Sequence, residues 1–186
     1  GAWERIEFGA SSTLSVLDNV EVRFGGANSA GQIFANGGQL SLTNSVVRNS
    51  STSGVRIASS TPTLTGNTFQ NNAGAAVSMD LASNPAISGV TLTNNGTNGL
   101  VLDTGSLVGN GFWNDPDIVY VMSNDVTVPA GQTLTVAPGQ VVKATCCFFV
   151  DLFVNGTLIA DGTPALPIIF TGDRDDTAGG DTNNNA

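Results

Sequence analysis

The sequence predicts an all-β solenoid in which each coil is a short strand, a turn, a second strand and a second turn. Three observations support this fold class: a repeat period of roughly 22–25 residues, apolar alternation within the repeat, and a composition rich in turn formers. Four copies of one eight-residue phrase begin at Leu17, Leu42, Leu64 and Ile87. These copies are 25, 22 and 23 residues apart, which is a spacing typical of solenoid proteins.

Apolar and polar residues alternate within each copy, as they do in a strand with one buried face. In the stretch 40–49, Leu40 and Leu42 point to one face, and Val47 resumes that face after a turn. Leucine-rich repeats have a similar period, but their L-x-x-L-x-L string and helical return are missing here. We therefore predict a parallel β-helix whose equivalent residues stack about 4.8 Å apart from coil to coil.

The composition favours strands and tight turns over helices and limits the classes of partner. The chain has 186 residues, 23 of them glycine, and 6 Lys+Arg against 15 Asp+Glu give a net charge of −9. No basic stripe is available to neutralise phosphates, so we expect no nucleic-acid partner. The sequence has no histidine, which excludes a Ser-His-Asp triad or a His-ligated zinc ion built from this chain alone.

The sequence also bears on location. It has no run of 18 apolar residues, so we expect no transmembrane segment. It begins Gly-Ala-Trp, without a basic segment followed by an apolar stretch, and we interpret it as a processed or excised piece. Low lysine content, acidity and abundant Asn, Thr and Gly are typical of secreted proteins. We therefore expect an extracellular or cell-surface location.

Asparagine recurs at two positions of the repeat and predicts the corners of the coils. Asn19 and Asn44 share one position, and Asn49, Asn71 and Asn94 share the other. Asparagine accepts left-handed backbone at a turn, and its amide can bond to asparagines in the coils above and below. We predict Asn ladders here, in preference to contacts with sugars. The predicted interior stacks are Leu17, Leu42, Leu64 and Ile87, and Val22, Val47, Phe69 and Leu92.

The repeat becomes less regular in the second part of the chain. We predict one β-helix domain over residues 1–186, with regular Asn-rich coils over 1–110 and less regular coils over 111–186. Short strand-like runs, such as 134–136 and 157–160, alternate there with Pro-Gly and Asn-Gly turns.

Two groups of motifs resemble known β-helix proteins. The stretches DVTVPAGQTLTVAPGQVVK, LFVNGTLIADGT, PIIFTGDRDD and GGDTN, which lie between residues 125 and 183, resemble β-helix segments of large bacterial surface and secreted proteins. The Asn-rich phrases of residues 17–94 resemble the repeats of right-handed parallel β-helix proteins, the pectate-lyase-like superfold. The resemblance implies a right-handed parallel β-helix. It implies no single activity, because this fold hosts many.

The order of the motifs implies an array. In the resembling proteins, GGDTN is usually followed a few residues later by a segment like GAWERIEF, which here opens the chain. The sequence resembles one unit of a tandem or end-to-end array, in which the last coil of one unit stacks on the first coil of the next. Such stacking would remove the unpaired strand edges at both ends. The predicted junction residues are Trp3, Ile6, Phe8, Ile168 and Phe170, with the acidic loop 173–183 beside them.

The acidic loop has the ligand types of a calcium site. Its carboxylates and one amide lie on a glycine-rich segment and are hard oxygen donors of the kind that Ca²⁺ prefers. The alternative is a solvated loop that links two coils, and no other cofactor is expected. The candidate ligands are Asp173, Asp175, Asp176, Asp181 and Asn183.

A short apolar insert follows Thr145. Cys146 and Cys147 are adjacent, and neighbouring residues of a strand point to opposite faces, so a disulfide between them would be strained. We expect one of these cysteines to pack inward and the other to be available for pairing with a neighbouring molecule. Phe148 and Phe149 extend the insert and predict a contact surface, with burial in the same subunit as the alternative.

No catalytic constellation is apparent. The acids of the regular coils, such as Asp18 and Asp80, fall at unlike positions, so they do not stack into the paired carboxylates that sugar-chain hydrolysis requires. We therefore predict a non-enzymatic structural unit of an extracellular fibre, stalk or adhesin, which assembles with copies of itself. Glycans and the surface of a host or neighbouring cell are further candidate partners. The alternative is a polysaccharide lyase, a hydrolase or a carbohydrate-binding β-helix module.

Overall fold

The computed structural model describes residues 2–28, 30–146 and 149–185, and the regular structure of these residues is entirely β-strand. The chain winds through seven complete coils and begins an eighth. The first four coils each contribute three strands: β1 (Ile6–Gly9), β2 (Ser15–Asp18), β3 (Glu21–Arg23); β4 (Gly31–Asn36), β5 (Leu40–Thr43), β6 (Val46–Arg48); β7 (Ser53–Ala58), β8 (Thr63–Thr65), β9 (Thr68–Gln70); and β10 (Ala75–Met79), β11 (Ala86–Ser88), β12 (Thr91–Thr93).

The later coils follow the same order. Their strands are β13 (Thr97–Leu102), β14 (Gly105–Ser106), β15 (Gly111–Trp113); β16 (Tyr120–Met122), β17 (Val126–Val128), β18 (Thr133–Val136); β19 (Val141–Ala144), β20 (Leu152–Val154), β21 (Thr157–Ala160); and β22 (Ile169–Gly172), which opens the eighth coil. Each sheet is built from strands of successive coils, and all paired strands in the described residues run parallel. The predicted parallel β-helix is therefore confirmed.

One sheet runs the length of the molecule, and the other two are replaced halfway. Sheet A has the order β1-β4-β7-β10-β13-β16-β19-β22. In the first four coils it is accompanied by sheet B (β2, β5, β8, β11) and sheet C (β3, β6, β9, β12). In the later coils it is accompanied by sheet D (β14, β17, β20) and sheet E (β15, β18, β21).

The two predicted interior stacks are confirmed. The residues of the first stack pair in register along sheet B, and those of the second pair in register along sheet C. Leu42, Leu64, Val47 and Phe69 are completely buried. Alternation therefore places one apolar row of each strand inside, and stacking that row from coil to coil builds a continuous core.

The coil length exceeds the predicted 22–25 residues where loops are inserted. Ile33 pairs with Val55, and the number of residues from one to the other along the sequence lies within the predicted range. Val142 pairs with Phe170, and the number of residues between them exceeds that range because the segments before β20 and β22 lengthen the seventh coil.

Sheet B ends at β11, and two aspartates cover its edge. Asp115 Oδ1 accepts a hydrogen bond from the Ile87 backbone N–H at 2.6 Å, and Asp117 Oδ2 accepts one from Gly89 N–H at 2.7 Å. The other Asp115 oxygen, Oδ2, accepts a hydrogen bond from the Tyr120 hydroxyl at 2.6 Å. Carboxylates therefore satisfy backbone donors that the next strand would satisfy in a continuous sheet.

Asp115 should make stability depend on pH. Burial raises the pKa of its carboxyl, although hydrogen bonds from Tyr120 and Ile87 oppose the rise. A carboxyl whose pKa is higher in the folded state than in the unfolded state stabilises the folded protein at pH values below its unfolded-state pKa of about 3.9. This stabilisation is lost as the pH rises through the folded-state pKa. We therefore expect the wild type to gain stability relative to Asp115→Asn as the pH falls from neutral to about 4. Urea denaturation of both proteins at several pH values measures their free energies of unfolding. A difference between wild type and Asp115→Asn that stays constant with pH would contradict the prediction.

Candidate functional site

The five corner asparagines adopt the backbone conformation that their positions in the repeat predict. Asn19, Asn44, Asn49, Asn71 and Asn94 have φ between 48° and 56°. This left-handed conformation turns the chain sharply between sheets, and asparagine tolerates it better than most residues. The backbone N–H groups of the first four donate to a carbonyl of the next coil, as in the 3.0 Å hydrogen bond from Asn71 N–H to the Thr93 carbonyl.

The buried amide ladder, however, lies one residue after these corners. Asn72 Nδ2 donates to Asn95 Oδ1 at 2.8 Å, and Gln32 Nε2 donates to Asn72 Oδ1 at 3.4 Å. The same amides reach backbone carbonyls of the preceding coil, including Val47 at 3.1 Å and Phe69 at 2.9 Å. The placement of the amide ladder at Asn71 and Asn94 was therefore wrong, because those side chains are exposed.

Sequence reasoning missed Asn72 and Asn95 although a signal was present. Each is the second member of an Asn-Asn pair, whose first member turns the chain and whose second member points inward. The corresponding corner of the second coil follows the same rule with a smaller side chain, because Ser50 follows Asn49 there and its N–H donates to Asn72 Oδ1 at 3.0 Å. Stacked amides inside the coil therefore hold the corners together.

At the N-terminal end, the predicted junction residues are only partly covered. Trp3, Ile6 and Phe8 are half-buried and pack against the core. Trp3 Nε1 donates to the Arg23 carbonyl at 2.9 Å, which fixes the indole at the corner of the first coil. Strand β1 has β4 as its neighbour on one side and no other neighbour among the described residues, so one edge of sheet A lies here.

At the C-terminal end, the core is open. Phe170 pairs in register with Val142, which is 1% exposed, so Phe170 occupies an interior position of the coil. Within the described part of the chain β22 is the last strand of sheet A, and Phe170 is 47% exposed there. Val154, at the interior position of β20 that pairs with Val128, is likewise exposed, and Ile168 is half-buried.

The acidic loop does not lie at this open end. Residues 173–185, here called the strap, turn back and run along the outside of sheet A. Lys143, on the outer row of β19, is completely buried beneath the strap and donates to the Gly180 carbonyl at 2.7 Å and to Thr182 Oγ1 at 3.3 Å. The expectation that the acidic loop lies at the junction was therefore wrong, because Lys143 draws it to the side of the solenoid.

The strap reaches back as far as the fourth coil. The Asn98 backbone N–H donates to the Thr182 carbonyl at 2.8 Å, and Asn98 Nδ2 donates to Asn184 Oδ1 at 3.0 Å. Asn184 Nδ2 in turn bonds to the Asn95 carbonyl. Gly179 lies so close to the Val119 side chain that a Cβ would be 2.4 Å from it, so this crossing requires glycine.

The strap carboxylates mostly serve local structure. Asp175 accepts hydrogen bonds from the hydroxyls of Thr171 and Thr177, which lower the pKa of its carboxyl. Asp173 Oδ1 accepts one from the Cys146 N–H at 3.0 Å, and Asp181 Oδ1 accepts one from the Asn185 N–H at 3.2 Å.

The described residues contain no group of three or more Asp, Glu or Cys side chains arranged to hold a metal ion. Asp176 Oδ1 and Asn183 Oδ1 are buried without a hydrogen-bond partner. Burial lowers the pKa of the Lys143 ammonium beneath the strap, although the strap carboxylates, Asp176 foremost, partly oppose this shift. Calcium binding by the strap stays a prediction.

The apolar insert lies on the surface where it is described. Phe149 is fully exposed, and Cys146 is half-buried with its N–H held by Asp173. Cys147 and Phe148 lie outside the described residues, so the predicted inward-facing cysteine and the predicted pairing stay untested.

A shallow groove crosses the first coils between sheets A and B. Two adjoining cavities of about 300 and 320 Å³ share Gln39 and Thr61. Leu14, which is 86% exposed and has φ 54°, forms one wall. All the lining residues are uncharged: Leu14, Ser15, Val16, Gly37, Gly38, Gln39, Leu40, Ser41, Ser59, Ser60, Thr61, Thr63 and Ala82.

Comparisons with known proteins agree with this architecture. Residues 6–128, more than half of the chain, match the protein family described as the right handed beta helix region. Searches of curated proteins and of solved structures find no match to the chain. Among the described residues, no helix is long and apolar enough to span a lipid bilayer. The parallel coils and the family match lead to one conclusion: the chain belongs to the right-handed β-helix family.

Proposed function

We propose that this β-helix is a structural unit of an extracellular fibre, stalk or adhesin, and that it works by stacking end to end with copies of itself. The observation that carries this proposal is Phe170, an interior residue left 47% exposed at the end of the solenoid. Interior residues of the preceding coils are buried by the coil that follows them, so an exposed interior residue marks a surface on which a further coil can stack. The strap runs along the side of the solenoid and leaves this surface accessible.

Both ends offer what stacking requires. Strand β22 has a free edge at one end of sheet A, and β1 has a free edge at the other. Both strands belong to a sheet in which every pairing is parallel, so the direction of the chain would be kept across a head-to-tail contact. Partly covered apolar residues at each end, Ile6 and Phe8 on one and Ile168 and Phe170 on the other, would become buried.

The charges of the two ends oppose association at low ionic strength. Residues 2–23 have four acidic and two basic side chains, and residues 149–172 have two acidic and no basic side chains. Both surfaces are therefore net negative, and stacking must overcome their repulsion. At about 0.15 M salt the screening length is about 8 Å, so assembly should be assayed at or above this concentration.

Replacing Phe170 with aspartate is expected to prevent assembly. The change places a charge at an interior position, where burial against a second copy would require desolvation of a carboxylate. Phe153→Asp is the matched control, because Phe153 is also 47% exposed but lies on the outer row of sheet D, in register with Thr127. Electron microscopy and sedimentation velocity should show filaments for the wild type and for Phe153→Asp, and monomers for Phe170→Asp.

Two outcomes would contradict the proposal. Wild-type protein that stays monomeric at high concentration and about 0.15 M salt would exclude self-assembly by this unit alone. Equal loss of filaments in both variants would place the contact on the side of the solenoid.

The uncharged groove supports a second candidate, a carbohydrate-binding or carbohydrate-active module. Hydroxyl and amide groups such as Ser41, Thr63 and Gln39 both donate and accept hydrogen bonds, as sugar hydroxyls do. The buried Asp115, in contrast, is occupied by backbone and Tyr120 donors, so it is poorly placed to act on a polymer. Cleavage of polygalacturonate in the presence of Ca²⁺ by monomeric protein would favour this candidate over the structural one.

A further inference from the structure

We propose that the strap, residues 173–185, is a clip that opens as one unit while the coils stay folded, and that its opening releases the terminal strand β22. The first part concerns the folding of this chain alone. The second part rests on the proposed function where it concerns assembly, because β22 carries the free edge on which a second copy would stack.

The strap is held almost entirely by polar contacts. Its hydrogen bonds to the coils involve Lys143, Asn98 and the Asn95 carbonyl, which belong to three different coils. Among the described strap residues, Ala178 is the one with a buried apolar side chain. Each coil beneath it, in contrast, buries several large apolar residues. Opening the strap therefore exposes little apolar surface compared with opening a coil, so the strap should open at a lower free energy.

One buried charge holds the centre of the strap. The Lys143 ammonium donates to the Gly180 carbonyl and to Thr182 Oγ1, and the carboxylates of Asp176, Asp175, Asp181 and Asp173 are near enough to raise its pKa against the effect of burial. Arg174 is the one basic residue in the sequence of the strap. Without the ammonium, the acids would repel one another, and the Gly180 carbonyl would lose its donor. Lys143 is thus the residue whose removal should open the whole segment.

The strap also ties β22 to its neighbour. Thr171 of β22 pairs in register with Lys143 of β19, and its hydroxyl donates to Asp175 Oδ2 at 2.9 Å. The Asp173 backbone N–H continues the ladder to the Ala144 carbonyl at 3.0 Å. Strand β22 has four residues and one neighbouring strand, so these contacts supply much of what keeps it in place.

Three amide protons report the parts of the clip separately. Asn98 N–H donates to Thr182 of the strap, Ile169 N–H of β22 donates to Gln140, and Leu100 N–H of β13 donates to Val119. Hydrogen exchange followed by NMR on dilute, monomeric protein measures all three. We expect Asn98 and Ile169 to exchange at similar rates, at least about tenfold faster than Leu100.

Lys143→Met keeps the apolar stem and removes the charge, and it should accelerate the exchange of Asn98 and Ile169 together by about tenfold without changing Leu100. Arg56→Met is the matched control. Arg56 lies on the same outer row of sheet A, four strands away along β10, β13 and β16, and its ion pair is with Asp103 rather than with the strap. This control should leave the Asn98 and Ile169 rates at their wild-type values.

The outcomes separate the two parts of the proposal. Exchange of Asn98 as slowly as Leu100 would overturn the opening of the strap as a unit. Acceleration of Asn98 in Lys143→Met without acceleration of Ile169 would overturn the role of the strap as a clip on β22. If the clip supports stacking, Lys143→Met should also form fewer filaments than Arg56→Met. Failure of the wild type to form any filaments would instead contradict the proposed function and leave the exchange result standing.

Discussion

Replacing Phe69 with alanine is expected to lower the free energy of unfolding by about 4 kcal/mol. Phe69 is completely buried and stacks between Val47 and Leu92 in adjacent coils. Removing the ring leaves a cavity in a stack that continues above and below, and the parallel ladders hold the neighbouring coils apart, so the cavity cannot readily close.

Urea denaturation measures this loss, and Phe153→Ala is the matched control. Phe153 is 47% exposed on the outside of sheet D, so its truncation should cost less than about 1 kcal/mol. Similar costs at the two positions would mean that the sheet C stack does not hold the coils together.

Replacing Asn72 with leucine should cost about 3 kcal/mol, although leucine is more apolar and fits a buried position. Asn72 Oδ1 accepts a hydrogen bond from Ser50 N–H, and Asn72 Nδ2 donates hydrogen bonds to the Val47 carbonyl and to Asn95 Oδ1. Leucine would leave a buried backbone donor and a buried backbone acceptor without partners, each of which costs about 1–3 kcal/mol.

The neighbouring residue provides the control for this second substitution. Asn71 is exposed and has φ 54°, which glycine adopts without strain, so Asn71→Gly should change the free energy of unfolding by less than about 1 kcal/mol. Urea denaturation of the two variants distinguishes the residue that turns the chain from the residue that bonds the coils. A larger loss for Asn71→Gly would place the ladder at the corner residue after all.

The two substitutions address the two forces that hold a β-helix coil to its neighbours. Apolar stacking at Phe69 acts along the inner row of a sheet, and amide stacking at Asn72 acts at the corner between sheets. The corner is where the strand ladder is interrupted, so its backbone groups need side-chain partners.

The end residues show how far the proposed junction could be predicted from the sequence. The motif order predicts a contact surface at the two ends, and Phe170 is exposed at one of them. The acidic loop was expected at the same end. It lies on the side because Lys143 is on the outer row of β19, a position that depends on which face of sheet A each residue occupies.

The amide ladder illustrates the same limit at the scale of one residue. The repeat located a turn at each Asn-Asn pair, and asparagine at positive φ accounts for the first member. Which member points inward depends on how the corner is joined to β10 or β13, and the sequence period alone does not specify this.

The edge of sheet B was not anticipated at all. Asp115 and Asp117 satisfy the backbone donors of Ile87 and Gly89, which are 28 residues away in the chain. No local pattern of the sequence links these residues. They meet because the segment that follows β15 lies against the edge of β11, a contact that exists only once the coils are stacked.

The parallel β-helix, the registers of the two interior stacks and the positions of the turns can be predicted from the amino-acid sequence. They follow from local period and from the alternation of apolar residues, which any copy of the repeat displays. The inward asparagines, the capped edge of sheet B and the strap over Lys143 become visible only in the folded molecule. Each of these joins residues of different coils, and contacts of that kind depend on the stacking of coils rather than on the order of residues within one coil.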